Sequence, residues 1–421
     1  MKIMVVGSGA REHAIASKLL EDKRVEKVYI ASGNAVDRLD SRIENINAYE
    51  IEELIKASKE NKVDLTIVGS EELLVSGIVD SFKKENLNIF GPDKKAAMLE
   101  GSKAFSKEFM NKYGVKTARS KSFDDINEAI KYVENMPHPL VIKASGLALG
   151  KGVVISENIK MSKDTIIDMM ENKKFGEAGT RIVIEEFLEG VEVSVLSITD
   201  SNTILPFISA KDHKKVFEGE KGPNTGGMGV IAPNPYFTKD YQNMFITDIL
   251  NPTLKGIKKE NMDFSGIIFF GLMLTKNGAY LLEYNMRLGD PETQAVLPLM
   301  KSNLLDLIIS ANDKKLGEFN LEWSNKSSCC IVLASGGYPN KYEKNYEISG
   351  IENFIVDENN KVYLAGVKYE NDKFLTNGGR VLNVVAIRDN LEAAKHDAYK
   401  LVDKINFKDK HFRKDIGNYK G

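Results

Sequence analysis

The sequence predicts an α/β fold followed by α+β, in three units over residues 1–101, 102–326 and 327–421. Three observations carry this. A chain of 421 residues exceeds one core, since a domain holds about 150. The first hundred residues alternate strand-like and helix-like patterns, the rhythm of a doubly wound parallel sheet. From residue 102 that rhythm yields to consecutive strands and hairpins, the pattern of α+β.

Each element has its own justification. Residues 2–6 form an apolar strand ending in Gly7-Ser8-Gly9, and residues 11–20 carry Ala14, Ile15 and Leu19 at near-helical spacing. Residues 25–30, 64–68 and 87–90 read as strands, and 52–59 and 74–84 as helices, before Gly91-Pro92 stops the pattern. Residues 102–112 read as helix. Residues 140–143 and 152–156 are short strands around a glycine-rich turn, followed by strands at 181–187, 191–198 and 204–210. Strands at 267–275 and 279–284 flank Lys276-Asn277-Gly278, a hairpin whose Asn-Gly pair suits left-handed backbone angles. The third unit has strands at 329–334 and 379–387 and a helix over 391–405.

Composition narrows the function class. With 58 Lys plus Arg against 60 Asp plus Glu, the net charge is -2, so no global basic field serves nucleic acid. The apolar run at residues 3–6 is too short for a signal-peptide core, and no run approaches the roughly 18 apolar residues needed to span a bilayer. These features predict a cytoplasmic protein with no nucleic-acid or membrane partner; a monomer acting on small molecules is the accompanying expectation. Cys329 and Cys330 are adjacent, poorly placed to bridge each other and without metal-ligand spacing, so they read as buried strand residues.

Several segments carry chemistry. Gly7-Ser8-Gly9, between strand and helix, offers backbone N–H groups to an anion, with Arg11 and His13 close by; a tight turn with solvated side chains accounts for the same residues. Glu12 stands where a dinucleotide fingerprint needs a small residue, which argues against a nicotinamide or flavin cofactor. Lys143 to Gly152, with Gly146, Gly150 and Lys151, is not a P-loop: the leading glycine is one residue too close, and Gly152 replaces the magnesium-binding hydroxyl. A glycine hairpin carrying a lysine fits a flap closing over a triphosphate. Lys143 ends an apolar strand, where a phosphate would relieve an unpaired charge. Glu185, Glu186 and Glu192 suit ribose hydroxyls and an adenine amino group, although surface glutamates are common.

The loop from Gly222 to Gly229 has four glycines in eight residues and includes Asn224, a density that predicts close approach to a ligand. Asp212-His213-Lys214-Lys215 precedes it; the histidine is either solvated or functional. The sharpest constellation runs from Glu283 to Gln294. Glu283 and Asn285 share a strand face and are hard oxygen donors for Mg²⁺. Arg287 joins that face if the strand persists, to clamp a carboxylate or phosphoryl group. Asp290 sits on a Gly-Asp-Pro turn that can reach substrate.

Taken in order, VVGSGAREHA, SGNA, IFGPDKKAAMLEGSKAF, KASGLALGKGV, RIVIEEFLEG, DHKKV, GPNTGGMG, EYNMRLGDPETQ, GGYP, TNGGRVL and RKDIG resemble the glycinamide ribonucleotide synthetases (phosphoribosylamine–glycine ligases) over nearly the whole chain. The resemblance implies an ATP-grasp core with a Rossmann-like first domain, a lid subdomain at about 120–189 and a small C-terminal domain. It implies ligation of glycine to 5-phosphoribosylamine with ATP, through glycyl phosphate, in de novo purine synthesis. Magnesium, or manganese, falls to Glu283 and Asn285. ATP falls to Lys103, Lys143, Gly146, Lys151, Gly152, Glu185, Glu186, Leu188 and Glu192. The substrate site draws on Gly9, Asn34, Glu71, Asp212, Asn224 and Arg287, and catalysis on Arg287, Asp290 and Lys143. Ser32, Ser70, Leu73 and Ser145 depart from the family pattern. The competing readings are another ATP-grasp ligase, such as a biotin-dependent carboxylase subunit, and a non-catalytic nucleotide-binding regulator.

Overall fold

Parallel strands Ile43–Ile46, Lys27–Ala31, Lys2–Val6, Leu65–Val68 and Ile89–Phe90 lie in that order in the first sheet of the computed structural model, which describes residues 1–148, 151–351 and 357–418. The central strands are buried apolar runs, as a parallel sheet covered by helices requires. The strand Ile43–Ile46 was not expected, because Glu44 and Asn45 interrupt its apolar pattern. The single helix expected over 74–84 is two, Glu71–Ser76 and Ile78–Lys84. Gly77, at φ +94°, caps the first and turns the chain into the second.

The lid is an antiparallel sheet of Ser120–Phe123, Ile182–Glu186, Leu140–Ala144 and Val153–Ser156. Helices Ile126–Glu134 and Ile159–Met170, capped by Asp125 and Asn158, pack on it around Phe123, Ile142, Ile166 and Ile184. The central sheet runs Ile204–Pro206, Val191–Thr199, Gly266–Thr275, Gly278–Asn285, all antiparallel. Its Asn-Gly hairpin corrects one expectation: Gly278 takes positive φ (+116°) but Asn277 does not. Instead the Asn277 N–H donates to Thr275 Oγ1 at 3.0 Å, so the left-handed residue follows the turn.

A third sheet orders Lys211–Asp212, Gly229–Ala232, Ser327–Ala334, Arg380–Arg388 and Asn360–Leu364, with helix Leu391–Val402 packed on it. Two of its strands precede residue 327, so the loop between them hangs at the seam of the central and C-terminal parts. The strand expected over 204–210 ends at Pro206, and the chain then crosses to this sheet. One apolar cluster joins Ile3 and Ile15 to Leu288, Leu333 and Leu382, tying all three parts together. Cys329 and Cys330 are fully buried on Ser327–Ala334, and burial pushes the Cys329 thiol up to about 12. No described helix is long and apolar enough to cross a membrane.

Candidate functional site

The strand Gly278–Asn285 sets Glu283 opposite Gly271 and Asn285 opposite Phe269. Tyr284 between them points into the core and shares a 2.6 Å hydrogen bond with Thr253, so Glu283 and Asn285 face the other side together. Burial alone would raise the Glu283 carboxyl, but Lys214, Lys143, Lys103 and Arg287 hold it below its ordinary value. Among the described residues neither the Glu283 carboxylate nor the Asn285 carboxamide has a hydrogen-bond partner, and no group of three His, Cys, Asp or Glu is set to hold a metal. Two oxygen donors beneath a cluster of cations fit a hard divalent ion whose other positions belong to phosphate oxygens and water.

The strand stops at Asn285, because the Met286 N–H donates to Glu100 Oε2 at 2.7 Å rather than to a neighbouring strand. The strand does not persist to Arg287, so alternation no longer places it, although its charge still acts on Glu283. Its guanidinium lies 3.4 Å from Glu71 and 3.2 Å from Glu100, coupling the first domain to the end of this strand.

Lys143 is 6% exposed, and its ammonium lies 3.0 Å from Glu185, so the expected unpaired charge already has a protein partner. Glu185 and Glu186 face opposite sides of their strand. Glu185 is buried against Lys143 and Lys107, while Glu186 pairs with Arg119 at 2.8 Å. Lys103 Nζ lies 3.4 Å from the Gly146 carbonyl, where helix meets flap, and burial lowers its pKa. Gly146 is packed against Ala178, and Gly152 against Ala144 and Ala148, while Lys151 is exposed. Leu149 and Gly150 of the flap lie outside the described residues. Leu188 is half-buried in the link between lid and central sheet, and Glu192 pairs with Lys214 at 3.0 Å. Ser145 accepts from the Ala104 N–H at 3.1 Å, so a neutral hydroxyl caps the helix that carries Lys103.

Beyond Glu283 the lining is a carboxylate–arginine network. Arg380 donates to the carbonyls of Gly226 (2.6 Å) and Asp290 (2.8 Å) and pairs with the Asp290 carboxylate at 3.3 Å. Gln294 donates to the same carboxylate at 2.8 Å. Burial pushes Asp290 up, but Arg380 and Arg11 hold it below its ordinary value. Burial and nearby Glu292 raise Asp212 well above its own, and Asp212 Oδ1 is buried without a hydrogen-bond partner among the described residues. Gly9 reaches this network from the first domain: a Cβ there would sit 3.1 Å from Asp290 Oδ2.

Four segments singled out in the sequence have protein partners here. The anion seat at Gly7-Ser8-Gly9 is filled from within: Gly7 N–H donates to Ala31, and Gly9 N–H to Glu12 Oε2 at 2.7 Å. The Glu12 carboxylate occupies the room left by Gly7, Gly9 and Gly69. Arg11 is held by Glu12 (2.6 Å) and the Leu288 carbonyl (3.0 Å), and His13 accepts from the Leu364 N–H at 2.9 Å; neither offers charge to a phosphate. The glycines of the 222–229 loop approach other protein groups closely. A Cβ at Gly227 (φ +113°) would meet Pro291 at 2.4 Å, and one at Gly229 the Cys330 carbonyl at 2.8 Å. His213 is neither solvated nor ligand-facing: it is 3% exposed, Nδ1 donates to the Gly229 carbonyl, and Nε2 accepts from the Gly417 N–H.

Of the remaining expected residues, Glu71 joins the network through Arg287. Asn34 instead spends its amide on Ser8, Leu364 and Ala365 carbonyls, and Asn224 ends a two-stranded ribbon with Lys215–Phe217. Ser32 takes φ +68°, and its hydroxyl donates to the Ala48 carbonyl at 2.9 Å. Sequence reasoning missed Lys107, Glu100, Glu292 and Arg380. Lys107 stands four residues after Lys103 on one helix face, and Glu100, Glu292 and Arg380 lie inside motifs quoted above without having been assigned a role.

Family models for the phosphoribosylglycinamide synthetase N domain, ATP-grasp (A) domain and C domain match residues 1–100, 101–293 and 328–419. The chain is 62% identical to a phosphoribosylamine–glycine ligase of Fusobacterium nucleatum over 99% of its length and 98% of that protein. It superposes on a crystal structure of phosphoribosylamine–glycine ligase from Thermotoga maritima with a TM-score of 0.86 at 33% identity, covering 99% of this chain and 100% of that one. A biotin carboxylase–β,γ-ATP complex from Campylobacter jejuni matches with a TM-score of 0.74 at 14% identity, over 97% of this chain and 92% of that one, which is likeness of fold alone.

Proposed function

The chain belongs to the phosphoribosylglycinamide synthetase family, and on that premise we propose that it ligates glycine to 5-phosphoribosylamine with ATP in purine synthesis. The products are N-(5-phosphoribosyl)glycinamide, ADP and phosphate. The observation that carries the reading is the pair Glu283 and Asn285, whose side chains have no hydrogen-bond partner among the described residues, on one strand face near Lys103, Lys143 and Lys214. Such a floor suits a triphosphate: cations for its charge, and two oxygens for the metal it brings.

A glycine carboxylate oxygen attacks the γ-phosphorus, the bond to the ADP oxygen breaks, and glycyl phosphate forms. The amine of phosphoribosylamine then attacks the acyl carbon, phosphate departs, and the nitrogen loses a proton. Magnesium or manganese held by Glu283 and Asn285 supplies charge neutralisation for the phosphates. Lys143 steadies the transferring group, and Arg287, set by Glu71 and Glu100, stands toward the acyl side. Asp290, gripped by Arg380 and Gln294, holds the turn facing Gly9, where first-domain groups meet the acceptor. No side-chain nucleophile is needed; positioning and charge stabilisation carry the reaction. The flap excludes water from the acyl phosphate. The reading also places a monomer in the cytoplasm, with small-molecule partners only.

The test is ADP release with each substrate omitted in turn, phosphoribosylamine being generated in place. Release that depends on glycine and on the amine supports the reading. Release sustained by bicarbonate without glycine overturns it.

A further inference from the structure

Lys107 has no role in the account above, yet it is 4% exposed at the root of the lid. Its ammonium donates to Thr117 Oγ1 at 2.6 Å and lies 3.3 Å from Glu185 Oε1. The other Glu185 oxygen is 3.0 Å from Lys143 Nζ, and Glu185 itself is 2% exposed. The Thr117 hydroxyl donates in turn to the Leu281 carbonyl at 2.6 Å, on the strand that carries Glu283. One buried carboxylate is thus shared by two ammonium groups where a helix, two lid strands and the metal-bearing strand meet.

We propose that Lys107 is a positioning residue of the nucleotide site: it keeps hold of Glu185 so that Lys143 can leave that carboxylate for a phosphate of ATP. The proposal rests on the ATP-dependent reading above. Were Lys143 the sole partner of Glu185, its move to a ligand would strand a buried carboxylate, and that cost would count against nucleotide binding. With Lys107 in place, Glu185 keeps one cation throughout. Lys107 suits the role because it cannot itself follow the ligand while Thr117 and Glu185 hold it. Burial also pulls its ammonium down to about 8, against the attraction of Glu185 and Glu283 and with the repulsion of Lys143. Its hold on Glu185 therefore weakens in mild alkali.

The test compares wild type with Lys107→Met and Lys107→Arg, varying ATP and glycine separately and recording melting temperatures. In Lys107→Met the KM for ATP is expected to rise about tenfold while that for glycine stays within about twofold, a split that general loosening does not produce. Lys107→Arg, always charged, should return the KM for ATP to within about threefold of wild type. In wild type the KM for ATP should climb above pH of about 8, and in Lys107→Arg it should stay level. An unmoved KM for ATP, or a rise shared with glycine and matched by a fall in melting temperature, overturns the proposal. If Lys107→Met does not fold, identical pH profiles for wild type and Lys107→Arg overturn it, and divergent ones support it. Wild type that releases no ADP sinks the ligase reading itself, before any variant is made.

Discussion

The two halves of the cleft are built from different cations. On the lid side, Lys103, Lys107 and Lys143 face Glu185 and Glu283, and the Glu283 and Asn285 side chains have no hydrogen-bond partner among the described residues. On the far side the cations are Arg11, Arg287 and Arg380, each bonded or paired to more than one protein group, among them the carboxylates of Glu12, Glu71, Glu100 and Asp290. Ammonium groups are compact charges on flexible stems and can transfer to an arriving phosphate. Guanidinium forks hold fixed geometry. The lid side is thus suited to exchange partners, and on the far side the arginines already hold protein carboxylates.

The largest effect should come from emptying the lid-side floor. Glu283→Ala is expected to cut ADP release at least about 10³-fold at saturating substrates, with the melting temperature little changed. Full activity would remove Glu283 from the mechanism and erase the contrast. Next, Arg380→Met frees Asp290 and the 222–229 loop. The kcat/KM for glycine should fall about 10²-fold while the KM for ATP holds, as misplacement confined to the far side requires. A parallel loss for ATP would show that the halves are one unit. Gly227→Ala puts a Cβ against Pro291 at a φ of +113° and should cost about 2 kcal/mol in chemical denaturation.

The smallest effect is on pH. Burial lowers His13 from 6.5 to about 3, so the unfolded chain binds the extra proton as pH falls below 6.5. The stabilisation from neutral His13 is complete above pH 6.5 and is lost as pH drops toward 3. At pH 5.5 that amounts to about 1 kcal/mol, and His13→Gln should flatten the dependence in calorimetry. An unchanged acid limb would mean that the seam between first domain and Leu364 does not depend on the proton.

How much of this was legible varies by residue. The Glu283–Asn285 face followed from strand alternation, since period two holds wherever the ladder continues. Arg287 did not follow: the strand end was decided by Glu100, nearly two hundred residues away, taking the Met286 N–H. The glycines of 222–229 were recognisable as close-approach positions, but which surface approaches is a tertiary fact. It proved to be Pro291, Asp212, Arg380 and Cys330. His13 and His213 read as candidate ligands because composition along the chain does not reveal that both rings are buried with backbone partners.

Local pattern by itself determined the parallel first sheet, the antiparallel strands after it and the shared face of the acid–amide pair, because periodicity acts within a few residues. Only the tertiary structure decided who holds each charge. Lys107, Glu185 and Lys143, or Arg380 and Asp290, meet from distant stretches of chain, and a buried ion pair is set by burial and approach, neither of which a linear pattern contains.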